Sequence, residues 1–244
     1  MRITNDERVS VTAIINGNTL KVTRFAVALF LLSYCVGNYA QENLFDSPEY
    51  RKDIQDWNSA AKGSNKSRAE KIMKFGHLND DGEIQYQYVV HVKDGLNIPQ
   101  FMQTITNWGK IKYSNYKKAL QNQSENSVEY SAMITNVAQA MGIAKATLVN
   151  ATTFAKFEAK EDRARITVKV KHYSLAQGSL SGPKSVLTLP KDVFPYQNSD
   201  DKNIYAMAYI NCHYNLILTL NSIFDYLNNN YAKIPEKNKE NIDW

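Results

Sequence analysis

Hydrophobic and polar positions change period several times along this chain, and each change marks an element. Ile84, Tyr86, Tyr88, Val90 and Val92 alternate with Gln85, Gln87, Val89, His91 and Lys93, the period-two pattern of a strand with one buried face. Residues 153–173 hold the clearest signal. With a turn at 160–163, the pairs Ala159–Ala164, Phe157–Ile166, Ala155–Val168 and Thr153–Val170 share one face of an antiparallel hairpin. Glu158–Arg165, Lys156–Thr167 and Phe154–Lys169 share the other. Apolar pairs and the opposite-charge pair fall on different sides, so burial of one face fixes the register. Residues 186–189 give a further short strand, and 190–195 a bend.

Helical spacing governs the rest. Ser47 as N-cap and Pro48 at the first helical position open a helix carrying Tyr50, Ile54, Trp57 and Ala61 on one stripe, ended at Gly63. A short helix over 67–75 stops at Gly76, and residues 79–82 turn. Asn97 caps a helix whose stripe is Phe101, Met102, Ile105 and Trp108, with Gly109 as its stop. Residues 110–126 are polar and read as a solvated helix or loop. In 128–141, Tyr130, Met133, Val137 and Met141 recur at three or four, which predicts a helix; the Val, Tyr, Ile and Thr of 127–135 also suit a strand. From Ser199, followed by Asp200 and Asp201, apolar positions from Ile204 to Leu227 predict a helix over 203–229. At 1.5 Å per residue it would be about 40 Å long, so a bend or break is expected near 211–215.

These elements make the fold class α+β, with helices packed on one face of an antiparallel sheet and a long C-terminal helix. The expected organisation is a helical extension over 41–82, an α+β domain over 83–231 and a charged tail over 232–244.

The segment before the first helix changes the picture. A basic lead (Lys21, Arg24), an apolar run over 25–36, then small and polar residues to Ala40 follow the order of a secretory signal. A membrane-spanning helix needs roughly 20 apolar residues, more than this run supplies. Removal of 1–40 by cleavage between Ala40 and Gln41 is the expectation, leaving no transmembrane helix in the mature chain. An alternative is a lipid anchor at Cys35, although Tyr34 is bulky where a lipoprotein signal takes a small residue. Without the four basic and two acidic residues of 1–40, the net charge falls from +5 to +3. That near-neutral balance argues against nucleic acid as partner. Cys212 would be the sole remaining cysteine, so no disulfide framework exists.

Candidate chemistry is sparse. The four histidines, His77, His91, His172 and His213, lack metal-ligand spacing, and Cys212 beside His213 on a helix would point elsewhere. Residues 79–83 have acids but not the ligand spacing of a calcium loop. Nucleophile-elbow, phosphate-loop and dinucleotide motifs are lacking. No catalytic, metal or cofactor residue is assigned. What stands out is the outward side of the hairpin: Lys156, Arg165, Lys169 and Lys171, with Phe154 and Tyr173 at its edges, a mixture of cations and rings able to hold anions and stack on planar groups. A solvated sheet face guarded by lysines has the same composition.

The strand YQYVVHVKDG, the helix FMQTITNW, the paired strands TFAKFEAK and ARITVKVKHY, and the closing YAMAYINCHYNLILTLNSIFDYL resemble a family of exported bacterial proteins, a domain of unknown function with a TATA-binding-protein-like fold. The resemblance spans 83–231, with 110–150 departing from the pattern. It implies a twisted antiparallel sheet with helices on one face and no assigned activity; a shared shape does not confer DNA binding. Residues and resemblance together point to an exported, non-catalytic protein, periplasmic or outer-membrane associated, binding an envelope protein, peptide or glycan through the interaction face. The rival is a periplasmic hydrolase or transferase, which a deep pocket with a His–carboxylate pair would favour.

Overall fold

The computed structural model describes residues 44–75, 77–92, 95–141, 146–178 and 184–233. The signal segment with Ala40, Gln41 and Cys35, the stop at Gly76, the loop over 179–183 and the tail from 234 lie outside the described residues. Six strands form one antiparallel sheet: β1 (Ile84–His91), β2 (Leu120–Gln123), β3 (Ser127–Met141), β4 (Ala146–Lys160), β5 (Arg163–Gly178) and β6 (Lys184–Thr188). The order is β1-β5-β4-β3-β2, with β6 also on β5. β5 is long enough to pair with β1 over its first half and with β6 over its second.

The hairpin register is the one the sequence specifies, with Ala159 opposite Ala164, Phe157 opposite Ile166, Ala155 opposite Val168 and Glu158 opposite Arg165. A bulge between Thr152 and Thr153 leaves Lys171 without a partner on β4, and it inverts the alternation: Val170 is buried before it and Tyr173 after it. Tyr173 is therefore a core residue and not an edge of the outer face.

Helices α1 (Pro48–Ser59), α2 (Asn65–Met73), α3 (Ile98–Lys112) and α4 (Tyr116–Ala119) precede or interrupt the strands, and α5 (Lys202–Asn230) closes the fold. Ser47, Ser64 and Asn97 accept from the backbone at the starts of α1, α2 and α3, as N-caps do. The core lies between the inner sheet face and the helices. Its centre is Trp108 of α3, against Tyr130 of β3 and Phe157 of β4, with Nε1 donating to Ser222 Oγ of α5 at 3.1 Å. From the N-terminal side, Tyr50 of α1 stacks on Phe224 of α5, and the backbone of Phe45 exchanges two hydrogen bonds with the Asn228 side chain.

Four further expectations are corrected. Residues 128–141 are strand, because Val128 and Tyr130 face the core and the segment pairs along β4; the helical spacing is produced by a register shift between Ile134 and Ala138, where Asn136 takes φ of 56°. The polar stretch 110–126 holds the end of α3, α4 and the edge strand β2, whose exposure accounts for its polarity. Gly109 does not stop α3: it lies where a Cβ would sit 2.5 Å from the Tyr130 ring, so the glycine admits that ring rather than ending the helix. The expected break in α5 is also missing. Asn211 donates to the Val137 carbonyl at the β3 irregularity (2.7 Å) and Asn215 donates back to Asn211, so these polar side chains find partners without interrupting the helix, roughly 44 Å long at 1.5 Å per residue. Helices thus cover one face of the sheet; the other holds the candidate site.

Candidate functional site

The two long strands of the hairpin bring Lys156, Arg165, Lys169 and Lys171 onto the uncovered face, as alternation requires. They form two groups. Glu158 receives Lys156 Nζ at 3.1 Å and Arg165 Nε at 2.7 Å, and this pair of cations holds its carboxyl below the ordinary range against the opposing effect of partial burial. The second group surrounds Phe154, whose ring centroid lies 5.6 Å from both Lys169 Nζ and Lys171 Nζ, within cation–π range. Lys169 also reaches Glu83 at 2.8 Å. The Glu83 side chain is 5% exposed. Burial opposes its charge, but Lys169 and Asn79 together outweigh burial and keep its pKa low. Lys171 has no ion pair among the described residues. Near Arg165, at the hairpin end, a depression of about 350 Å³ is lined by Val89, Glu158, Lys160 and Arg163.

A second constellation lies on the covered side, joining residues far apart in the chain. Tyr88 of β1 donates to Asp53 of α1 at 2.6 Å, and His77 Nε2 lies 3.1 Å from the other oxygen of Asp53. The His77 ring stacks on Tyr86 at 4.0 Å, and Tyr86 Oη is 2.7 Å from Nδ1 of His213 on α5. Burial, with His77 adding to it, pushes His213 far below its ordinary pKa. His213 is therefore neutral, and Tyr86, whose own pKa burial drives upward, is the donor to Nδ1. Nε2 of His213 has no hydrogen-bond partner among the described residues; the Tyr209 ring, 4.4 Å away, faces that histidine. Sequence spacing could not reveal this cluster, since Tyr86 and His213 are 127 positions apart.

A His–carboxylate pair is thus present, with side chains 12% and 15% exposed, and it lines neither the depression at the hairpin end nor the one between the α3–α4 connection and β3. The hydrogen bond that fastens α1 to β1 is the one from Tyr88 to Asp53; His77 lies beside that carboxylate without a hydrogen bond from Nε2. The remaining candidates are placed as follows. His172 Nε2 is 3.2 Å from Thr152 Oγ1, and His91 lies exposed 3.9 Å from Asp162. Cys212 is fully buried, and burial drives its thiol pKa upward, so the thiolate needed for nucleophilic chemistry is suppressed. Asn79 bonds to Glu83 and Gln85, which is turn chemistry. Among the described residues, no group of three or more His, Cys, Asp or Glu is placed to hold a metal ion, and no helix is long and apolar enough to cross a membrane.

No family model and no curated protein matches the chain. Among solved structures, the chain is similar to a TBP-like protein from Parabacteroides distasonis, at 14% identity over 63% of this chain and 97% of that one, with a TM-score of 0.43. It is also similar to a DUF4468 family protein from Bacteroides ovatus, at 12% identity over 66% and 94%, with a TM-score of 0.38. Both likenesses are distant, and the α+β architecture of an antiparallel sheet, helices on one face and a long C-terminal helix stands on the strand order and register themselves.

Proposed function

We propose that this chain is an exported, non-catalytic protein of the cell envelope that binds a partner protein, peptide or glycan through the uncovered face of its sheet. The observation that carries the reading is the Phe154 ring flanked by Lys169 and Lys171 on a face that no helix of the described residues covers. Outward positions of β4 and β5 hold Lys156, Lys160, Arg163, Arg165, Lys169 and Lys171 against the single carboxylate Glu158, a bias that suits a partner with acidic groups.

The structure selects the variants for the test. Lys169→Glu would set a second carboxylate against nearly buried Glu83 and damage the fold. Phe154→Ala with Lys171→Gln removes the ring and that cation without setting a new carboxylate near Glu83, whose charge Lys171 also supports. Partner capture from an envelope fraction is expected to fall about tenfold, equivalent to about 1.4 kcal/mol, with an unchanged melting temperature. Capture equal to that of the unaltered protein would refute the uncovered face as the binding surface.

Export is tested separately by mass spectrometry of the mature N-terminus. A chain beginning at Gln41 in the exported fraction is expected; a lipid on Cys35 would make it an anchored protein, and an uncut chain in the cytosol would overturn export.

A further inference from the structure

We infer that the exposed edge of β3 over residues 131–135 is a docking slot for a short acidic peptide segment of another protein, bound in extended form as an added strand. The slot adjoins the uncovered face, since Ser131 pairs with Phe154, but it is built from the β3 backbone edge and the cavity beside Lys112 and Lys118, not from the Phe154 ring or Lys171.

The first observation is an unfinished sheet edge. β2 pairs with β3 at Val128, Glu129 and Tyr130 and goes no further, so among the described residues β3 beyond Tyr130 is paired on its β4 side alone. The direction of its backbone groups is fixed by bonds on both flanks. The Ala132 carbonyl accepts from Thr153 on β4, and that of Asn126 accepts from Ala159 on β4; the Ser127 carbonyl accepts from Ser124 beside β2. Alternation along a strand then turns the N–H and C=O of Ser131, Met133 and Thr135 to the open edge. An extended peptide meets these groups as a new strand would, through main-chain hydrogen bonds.

The second observation is a cavity beside that edge. A depression of about 440 Å³ lies between the α3–α4 connection and β3, lined by Lys112, Tyr113, Lys118, Gln121, Met133 and Thr152. Met133 is 61% exposed, a large apolar surface at the mouth of the slot. Lys112 and Lys118 have no ion pair among the described residues, and Lys110 and Lys117 stand on the same helical segments. Unpaired ammonium groups beside open N–H groups favour carboxylate side chains, and they disfavour a basic segment.

The slot is bounded. β2 closes one end and the Asn136 irregularity closes the other, leaving about five residues of usable edge. A second copy of this chain would have to bring its own β2 and its own β3 irregularity into that length, so a short, flexible segment fits and a symmetric strand pair does not.

The test uses a fluorescein-labelled hexapeptide of alternating Val and Glu and its Val and Lys counterpart, titrated onto the unaltered protein by anisotropy. The acidic peptide is expected to bind at least about tenfold more tightly than the basic one. Met133→Pro removes an edge N–H without touching the β4 ladder, where proline is tolerated; it should abolish binding, while Met133→Ala should retain it. Lys112→Glu with Lys118→Glu should weaken it about tenfold, and Lys171→Gln, on β5 away from the slot, should leave it unchanged, which separates this slot from the uncovered face. If Met133→Pro fails to fold, the acidic peptide N-methylated at alternate residues serves instead and should not bind. Equal binding of acidic and basic peptides, no binding of either, insensitivity to both backbone blocks, or β3-dependent dimers in sedimentation would each overturn the inference.

Discussion

Trp108→Ala is expected to lower stability by about 3–5 kcal/mol, the range for emptying a large aromatic site in a close-packed interior. Trp108 is 2% exposed and touches α5, β3 and β4 together, through Ser222, Tyr130 and Phe157. These neighbours are themselves rigid. Tyr130 and Phe157 are fully buried, and Gly109 has been shaped around the Tyr130 ring, so little can move into the vacated space. At roughly 2–4 °C per kcal/mol for a domain of this size, the melting temperature should fall by roughly 6–20 °C. Ser222→Ala removes the Nε1 partner alone and should cost about 1–3 kcal/mol, the penalty for a buried donor left without an acceptor. Urea unfolding followed by circular dichroism checks both. A loss under about 1 kcal/mol for Trp108→Ala would mean that α3 is not joined to the sheet through this residue.

Elements whose burial and local period agree are the ones the sequence discloses. In the 153–173 hairpin each inward position but Thr153 is apolar and the charged pair faces out, so one register alone satisfies burial, and that register is the observed one. The caps Ser47 and Asn97 are legible for the same reason, since a side-chain acceptor three residues from its backbone donor is a local matter. β3 was obscured where tertiary structure overrides period: the irregularity between Ile134 and Ala138 buries both Val137 and Ala138, erasing alternation and leaving three-to-four spacing in its place. Tyr173 was misplaced by the same cause at the β5 bulge. The outward placement of Lys156, Arg165, Lys169 and Lys171 was legible, but not their pairing, because Glu83 lies 86 positions from Lys169. The Asp53–His77–Tyr86–His213 cluster required three elements to be brought together before any of its members looked unusual.

Between pH 6.5 and 5 the folded protein should lose stability with falling pH, and His213 should be a principal cause. His213 is fully buried and its folded pKa lies far below that of an unfolded histidine, about 6.5. Below pH 6.5 the unfolded chain therefore binds a proton that the folded chain refuses. Stability is fully present above the unfolded pKa and declines by up to about 1.4 kcal/mol per pH unit until the folded pKa is reached. The groups facing His213 are Tyr86 of β1, His77 in the segment before it and Tyr209 on its own helix. None supplies a carboxylate in contact to hold an imidazolium. His172, held low by burial and by Lys171, contributes a slope of the same sign that will persist when His213 is replaced. Glu83 and Glu158 have lowered pKa values, so their stabilising charges are lost below about 4.5, outside this window. His213→Phe should reduce the slope between pH 6.5 and 5 but cost about 1–3 kcal/mol at pH 8, because Tyr86 Oη is left buried without its acceptor. Replacing both partners, Tyr86→Phe with His213→Phe, should recover most of that cost while keeping the shallow slope. Denaturant unfolding of the parent, Tyr86→Phe, His213→Phe and the double variant at pH 5, 6.5 and 8 measures the cycle. A His213→Phe variant with the full slope of the parent would show that the proton uptake belongs to another residue, and a double variant no more stable than the single one would show that the Tyr86–His213 bond is not what the single substitution breaks.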